Sequence, residues 1–185
     1  MARARSRTHP SRRRLPVALT AAVALLGAPA AALATPWVIG AGDVHPPDGP
    51  ERAIGASFGT LVRAWGPPEV APRDVPVATW PRGLEVTFTR ARGGASVKFL
   101  VSDRRWRTPS GARVGMTAAQ LRRIYGRRLV TVPDRRGLLG VRYHLMVPAG
   151  RMALGFVLRR PGRVLWLVTG SRATVRADLA FAGPA

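Results

Sequence analysis

Gly55-Ala56-Ser57-Phe58-Gly59-Thr60-Leu61-Val62-Arg63-Ala64-Trp65-Gly66 aligns without gaps with Gly115-Met116-Thr117-Ala118-Ala119-Gln120-Leu121-Arg122-Arg123-Ile124-Tyr125-Gly126, 60 residues further on. Both stretches begin with Gly, carry a hydroxyl two residues later, share a central Leu and end aromatic-Gly. Self-similarity of this kind marks a repeated structural unit. Ser57 and Thr117 have the chemistry of helix N-caps, whose oxygen accepts from a backbone N–H left orphaned in the first turn. Phe58, Leu61, Val62 and Trp65 then fall on one helical face, as do Ala118, Leu121 and Tyr125. Gly66 and Gly126 suit the left-handed residue that closes a helix, and Pro67-Pro68 prevents the first from continuing.

Outside these two helices the apolar period changes to two. Leu84, Val86 and Phe88 alternate with Glu85, Thr87 and Thr89, predicting a half-buried strand, and Ser96–Val101 a second one after the Arg92-Gly93-Gly94 turn. Leu139, Val141, Tyr143, Leu145 and Val147, then Met152–Leu158 and Val164–Thr169, predict further strands separated by Pro148-Ala149-Gly150 and Arg160-Pro161-Gly162. Leu165-Trp166-Leu167-Val168 is apolar on both faces, which suits a central strand. Residues 172–181 read as a last edge strand, and 35–54, rich in Gly and Pro, as a flexible leader without periodicity. The fold class is therefore α+β, with two tandem helix-then-antiparallel-strands units, about 55–112 and 113–185. They share one core, because a unit of roughly 60 residues is marginal alone.

The 185 residues include 30 Lys plus Arg, 9 Asp plus Glu and no Cys, for a formal charge of +21. Disulfides, thiolate metal sites, a catalytic thiol and a lipid-modified cysteine are thereby excluded. The apolar content, 46%, exceeds that of a disordered polycation. Six arginines precede Leu15, an apolar stretch follows, and Ala32-Leu33-Ala34 has the small-x-small pattern of a peptidase site. Residues 1–34 are expected to be a cleaved secretory signal. An uncleaved anchor helix is the competing reading, and Ser11-Arg12-Arg13-Arg14-Leu15 resembles a twin-arginine signal except at Pro16 and Val17. Cleavage would remove six positive charges and leave 24 basic and 9 acidic residues, a net of +15. Lys98 is the only lysine, a bias that a GC-rich genome also produces.

The Gly115-Met116-Thr117…Tyr125-Gly126 helix, preceded by Thr108-Pro109-Ser110-Gly111, resembles the repeated units of small secreted bacterial domains. Among these are the beta-lactamase inhibitory protein and the small outer-membrane assembly lipoproteins. The resemblance covers about thirty residues per copy and implies protein binding rather than catalysis. The chain departs from the lipoproteins in lacking a lipobox cysteine, and from the inhibitor in lacking disulfide cysteines.

Gly55-Ala56-Ser57-Phe58-Gly59 also matches the Gly-x-Ser-x-Gly nucleophile elbow, and Asp103 or Asp134 followed by His144 completes a hydrolase-like order. That reading makes Ser57 the nucleophile of an esterase. Against it, no buried strand precedes the motif, and the alignment of Ser57 with Thr117 is explained by capping alone. His144 is expected on the solvent side of its strand, and His45 and His144 lack metal-ligand spacing. No catalytic set, cofactor or metal is expected. Arg90-Ala91-Arg92-Gly93-Gly94 resembles an RNA-binding tract, but export argues against nucleic acid. Arg104, Arg105, Trp106 and Arg107, together with Arg122, Arg123, Arg127 and Arg128, form the candidate anion-binding set, with Trp106 placed to stack on a ring. The expected function is an exported, non-enzymatic binding domain of the cell envelope or extracellular space. Its basic surface would contact an anionic wall polymer, an anionic membrane surface or an acidic protein. An envelope-assembly or inhibitor-like protein-binding module is the alternative.

Overall fold

A helix begins where side chains satisfy the backbone donors that its first turn leaves without partners. The computed structural model of the chain describes residues 37–47, 49–91, 93–134, 143–159 and 162–180. In it Ser57 Oγ accepts from the Thr60 N–H at 3.2 Å and opens α1 (Phe58–Trp65). Thr117 Oγ1 accepts from the Gln120 N–H at 3.2 Å and opens α2 (Ala118–Tyr125). Gln120 Oε1 accepts in return from the Thr117 N–H at 2.8 Å, completing a capping box. Gly66 and Gly126 close the helices at φ 81° and 54°, where a side chain would meet its own backbone. Leu61, Leu121 and Tyr125 are buried, as the helical period predicts.

The strands follow in the order β1 (Trp37–Ile39), β2 (Asp43–His45) and β3 (Arg52–Ala53) before α1. After α1 come β4 (Val77–Trp80), β5 (Leu84–Phe88), β6 (Ser96–Val101) and β7 (Trp106–Arg107). After α2 come β8 (Val130–Pro133), β9 (Tyr143–Ala149), β10 (Met152–Arg159), β11 (Arg163–Ser171) and the closing helix α3 (Arg172–Ala180). The large sheet has the order β4-β5-β6-β11-β10-β9-β8, with every described pair antiparallel. The first helix-then-strands unit supplies β4-β5-β6 and the second supplies β11-β10-β9-β8. They meet at β6 and β11, where Val101, Leu100, Phe99 and Lys98 oppose Leu167, Val168, Thr169 and Gly170. The strand that is apolar on both faces is thus the central one.

The segments that cap the two helices make the same backbone bonds to these two strands. Gly55 N–H donates to Ser96 O, and Ser96 N–H to Ala56 O, both at 2.8 Å. Gly115 N–H donates to Val164 O, and Val164 N–H to Met116 O, also at 2.8 Å. Each helix is thereby hung from the first residues of a central strand.

Alternation along the strands separates the two faces. Leu145, Val147 and Phe156 pack with α1 and α2, whereas Met146, Ala153, Val157 and Val168 pack with α3. Of the expected edge strand at 172–181, the described residues Arg172–Ala180 form this helix instead. Ser171 Oγ accepts from the Thr174 N–H at 3.1 Å, and Val175 and Leu179, one turn apart, are fully buried. Gly155 lets the helix approach: a Cβ there would lie 2.6 Å from Val168 Cγ1 and 2.9 Å from Val175 Cγ1.

The described residues 37–47 and 49–54 likewise differ from the flexible leader expected at 35–54. β1 pairs antiparallel with β2 and parallel with β7, and β2 with β3, giving a small sheet β3-β2-β1-β7. Its Ile39 and Val44 are completely buried in the core that holds α1 and α2. Strands of two or three residues are too short to display a period, so their partner strand decides them. The expected signal peptide (1–34), residues 35, 36 and 48 of the expected leader, the Leu139–Arg142 part of the predicted strand, Arg92, Arg160-Pro161 and Phe181 lie outside the described residues.

Gly155→Ala is expected to destabilise the fold by about 1–3 kcal/mol, because stiff valine methyl groups must move. Thr117→Ala is expected to cost about 1 kcal/mol through the lost cap. Urea unfolding of both variants measures these values, and wild-type stability for Gly155→Ala would show that α3 does not depend on that close approach.

Candidate anion-binding groove

Bonding of the Gly115 segment to the start of β11 draws residues from three parts of the chain to the beginning of α2. Arg113 precedes the cap and bridges to Arg107, and Arg163 stands at the start of β11. Arg104 comes from the turn between β6 and β7. With Gln120 and walls of Val114 and Met116, these three arginines line an open groove of about 620 Å³. Arg163 Nη1 donates to Gly115 O at 3.0 Å, which holds this side chain against the groove's backbone. Among the described residues, no carboxylate lines the groove. Three guanidinium groups around one concavity create a positive potential that an anion relieves, and each presents planar N–H donors suited to phosphate or carboxylate oxygens.

A buried pair supports the loop that carries Arg113. Thr108 Oγ1 and Tyr125 Oη lie 2.7 Å apart, the Ala112 N–H donates to Thr108 Oγ1 at 3.0 Å, and Thr108 N–H donates to Ala112 O at 2.8 Å. The 108–112 turn is therefore clasped to the last turn of α2. Burial pushes the Tyr125 phenol above its ordinary pKa, keeping it neutral as a hydrogen-bonding group.

The sequence-predicted set is divided by the fold. Arg104 enters the groove. Arg105 is bound to Asp103, with Nη2 to Oδ2 at 2.6 Å, and its guanidinium lies 4.3 Å from the Trp37 ring centre. That guanidinium holds the Asp103 carboxyl below its usual pKa. Trp106, expected to stack on a ligand, is instead buried, edge-on to Trp37 at 5.5 Å, with its indole N–H donated to Arg82 O at 3.1 Å. Arg107 is exposed on β7. Arg122 and Arg123 are exposed in the last turn of α2, with Arg127 and Arg128 exposed just beyond, away from the groove at its first turn. Cations there complement the helix dipole. Arg113 and Arg163 escaped sequence reasoning because neither stands out as a cluster, and only the Gly115–Val164 bonding brings them together.

The structure pairs Asp134 with His144 but does not bring Ser57 to them. Ser57 Oγ bonds Thr60 Oγ1 at 2.9 Å in addition to its capping bond. His144 Nε2 lies 3.6 Å from Asp134 Oδ2, with both side chains fully buried. This corrects the solvent-facing position expected of His144. The neutral ring accepts the Leu158 N–H at Nδ1, at 3.3 Å, beside the bulge at Val157–Leu158, so its proton sits on Nε2 toward the carboxylate. Alternation along β9 places His144 with Met146 on the α3 face, whereas α1 lies on the other. Among the described residues, no three His, Asp or Glu side chains form a metal-binding group, and no helix is long and apolar enough to cross a membrane.

No family model and no curated protein matches the chain. Among solved structures, it is similar to an extracellular protein containing an SCP domain from Bacillus anthracis. The identity is 12% and the TM-score 0.46, over 71% of this chain and 50% of that one. It is also similar to a DUF4309 family protein, YjgB, from Bacillus subtilis, at 17% identity and TM-score 0.42, over 63% of this chain and 79% of that one. The chain thus spans half the length of the SCP-domain protein.

Burial lowers the His144 pKa, and the neighbouring Asp134 charge opposes that shift only in part. The unfolded chain therefore takes up the proton first on acidification, and stability falls with pH below about 6.5. Above that pH this contribution is constant. Urea midpoints between pH 7 and pH 5 are expected to decrease in the wild type and to flatten in His144→Asn. Equal slopes in both proteins would exclude His144 as the titrating group.

Proposed function

We propose that the chain is an exported binding module, not an enzyme, and that the Arg104–Arg113–Arg163 groove takes the anionic groups of an envelope polymer. The observation that carries this reading is the meeting of three arginines from separate chain segments in one open groove, with no lining carboxylate among the described residues. Solubilising arginines are ordinarily dispersed, since like charges held together repel. A repeating polyanion gives each guanidinium an acceptor and links successive phosphates or carboxylates along the groove. The expected export signal places the module where such polymers occur. Nucleic acid has the same charge but belongs to another compartment. The Ser57 esterase reading lacks support, since Ser57 serves a cap and His144 lies beneath α3.

Poly(glycerol phosphate) is expected to bind with an affinity that falls steeply as salt is raised. Arg104→Ala, Arg113→Ala and Arg163→Ala are each expected to weaken binding about tenfold or more, the scale of one charge-assisted bond of roughly 1.5–3 kcal/mol. Arg122→Ala/Arg123→Ala is expected to change it much less. Titration by calorimetry at two salt concentrations decides the matter. Salt-independent binding, or equal losses in all the variants, would remove the groove as the site.

A further inference from the structure

Among the described residues, α3 covers only part of the width of its face of the large sheet. It packs on β8, β9, β10 and β11 and reaches β6, and makes no comparable contact with β4 or β5. Between α3 and the 70–75 loop runs a second groove of about 500 Å³, floored by Thr79, Glu85, Thr87, Lys98 and Leu100, with Trp166 where the floor passes under α3. Val70 and Val75 on its outer rim are 55% and 44% exposed, the most exposed of the large apolar side chains described.

We propose that this groove receives an amphipathic helix of a partner protein, one carrying a basic residue that pairs with Glu85. Two features define the occupant. First, the groove is a sheet face and not an edge, since the outer edge of β4 is already bonded to Val70 through Thr79 N–H to Val70 O at 2.8 Å and Val70 N–H to Thr79 O at 3.2 Å. Sheet faces are covered by helices, and on the adjoining part of this same face the chain's own α3 does so. Second, the charge pattern is inverted relative to the rest of the molecule. α3 brings Asp178 to Lys98, with Nζ to Oδ1 at 2.8 Å, so the sheet supplies the base and the helix the acid. One strand further out the sheet offers Glu85, which has no ion pair among the described residues. A groove lined, among the described residues, by two acids and one base, on a chain of net +21, selects a cationic occupant against the field of the whole surface. The apolar rim supplies contact area, and Glu85 sets the sign of the partner.

Two synthetic amphipathic helical peptides of equal length, one of Leu and Lys and one of Leu and Glu, test the proposal by fluorescence anisotropy. At about 0.5 M salt the Debye length is only about 4 Å, so the remote arginines are screened. The Leu/Lys peptide is expected to bind at least tenfold more tightly than the Leu/Glu peptide, and Glu85→Lys is expected to reverse that order. Val75→Asp, at an exposed rim position that leaves the core intact, is expected to abolish binding of both. Combined replacement of Arg104, Arg113 and Arg163 by Ala is expected to leave peptide binding unchanged, so failure of the polymer site and failure of this one are separable. Absence of peptide binding, or preference for Leu/Glu by both the wild type and Glu85→Lys, would overturn the proposal. So would a dimer that Val75→Asp dissociates, which would make a second copy of the chain the occupant.

Discussion

The antiparallel pairing of β6 with β11 joins the two helix-then-strands halves into one sheet. Phe99 and Val101 on one strand and Leu167 and Val168 on the other are all essentially inaccessible. Both helix caps are bonded to the beginnings of these same strands, at Ser96 and at Val164. A change in this register would therefore alter more than the sheet. Shifting β11 by one residue would reverse which side chains face α1 and α2, because strand side chains alternate. It would also carry the Gly115 segment, and with it the start of α2, to a new position.

Both proposed binding surfaces follow from that junction. The arginine groove exists because the bond between Gly115 and Val164 sets Arg163 beside the residues leading into α2, while the turn after β6 delivers Arg104. The helix-sized groove lies on the opposite face, where α3, among the described residues, makes no comparable contact with β4 or β5 of the first unit. The two surfaces also differ in charge. Among the described residues, one gathers guanidinium groups without an acid, and the other holds Glu85 and Asp178 with a single base, Lys98. The sheet between them separates opposite preferences that the net charge of the chain would conceal.

Elements with strong local signals were legible from the residues. The paired caps, the closing glycines, β5, β6, β10 and the centrality of β11 all followed from hydrogen-bond chemistry and periodicity. The elements missed were those whose local signal is weak. β1, β2, β3 and β7 have two or three residues each and pair with one another. β4 and β8, also missed, have four residues each and are fixed by pairing with β5 and β9. α3 did leave a signature, a Ser171 cap with Val175 and Leu179 one turn apart, but only two apolar positions mark its face. Trp106 was misplaced because arginines on either side made it look exposed, although successive residues of a strand point to opposite faces. His144 was misplaced similarly: a polar residue in a polar position of the pattern is buried when a helix covers that face and a carboxylate and an N–H meet its nitrogens.

Sequence alone determined the α+β class, the two capped helices, the central strand and the excess of positive charge, since each is written in contacts between near neighbours or in composition. Tertiary structure alone decided which arginines converge and which do not. Of the eight residues singled out, Arg104 alone lines the groove, joined there by two arginines from distant positions. Clustering along a chain measures separation in sequence, whereas an electrostatic site depends on separation in space. Here that distance is set by strand register and by the backbone bonds that hang each helix from the sheet.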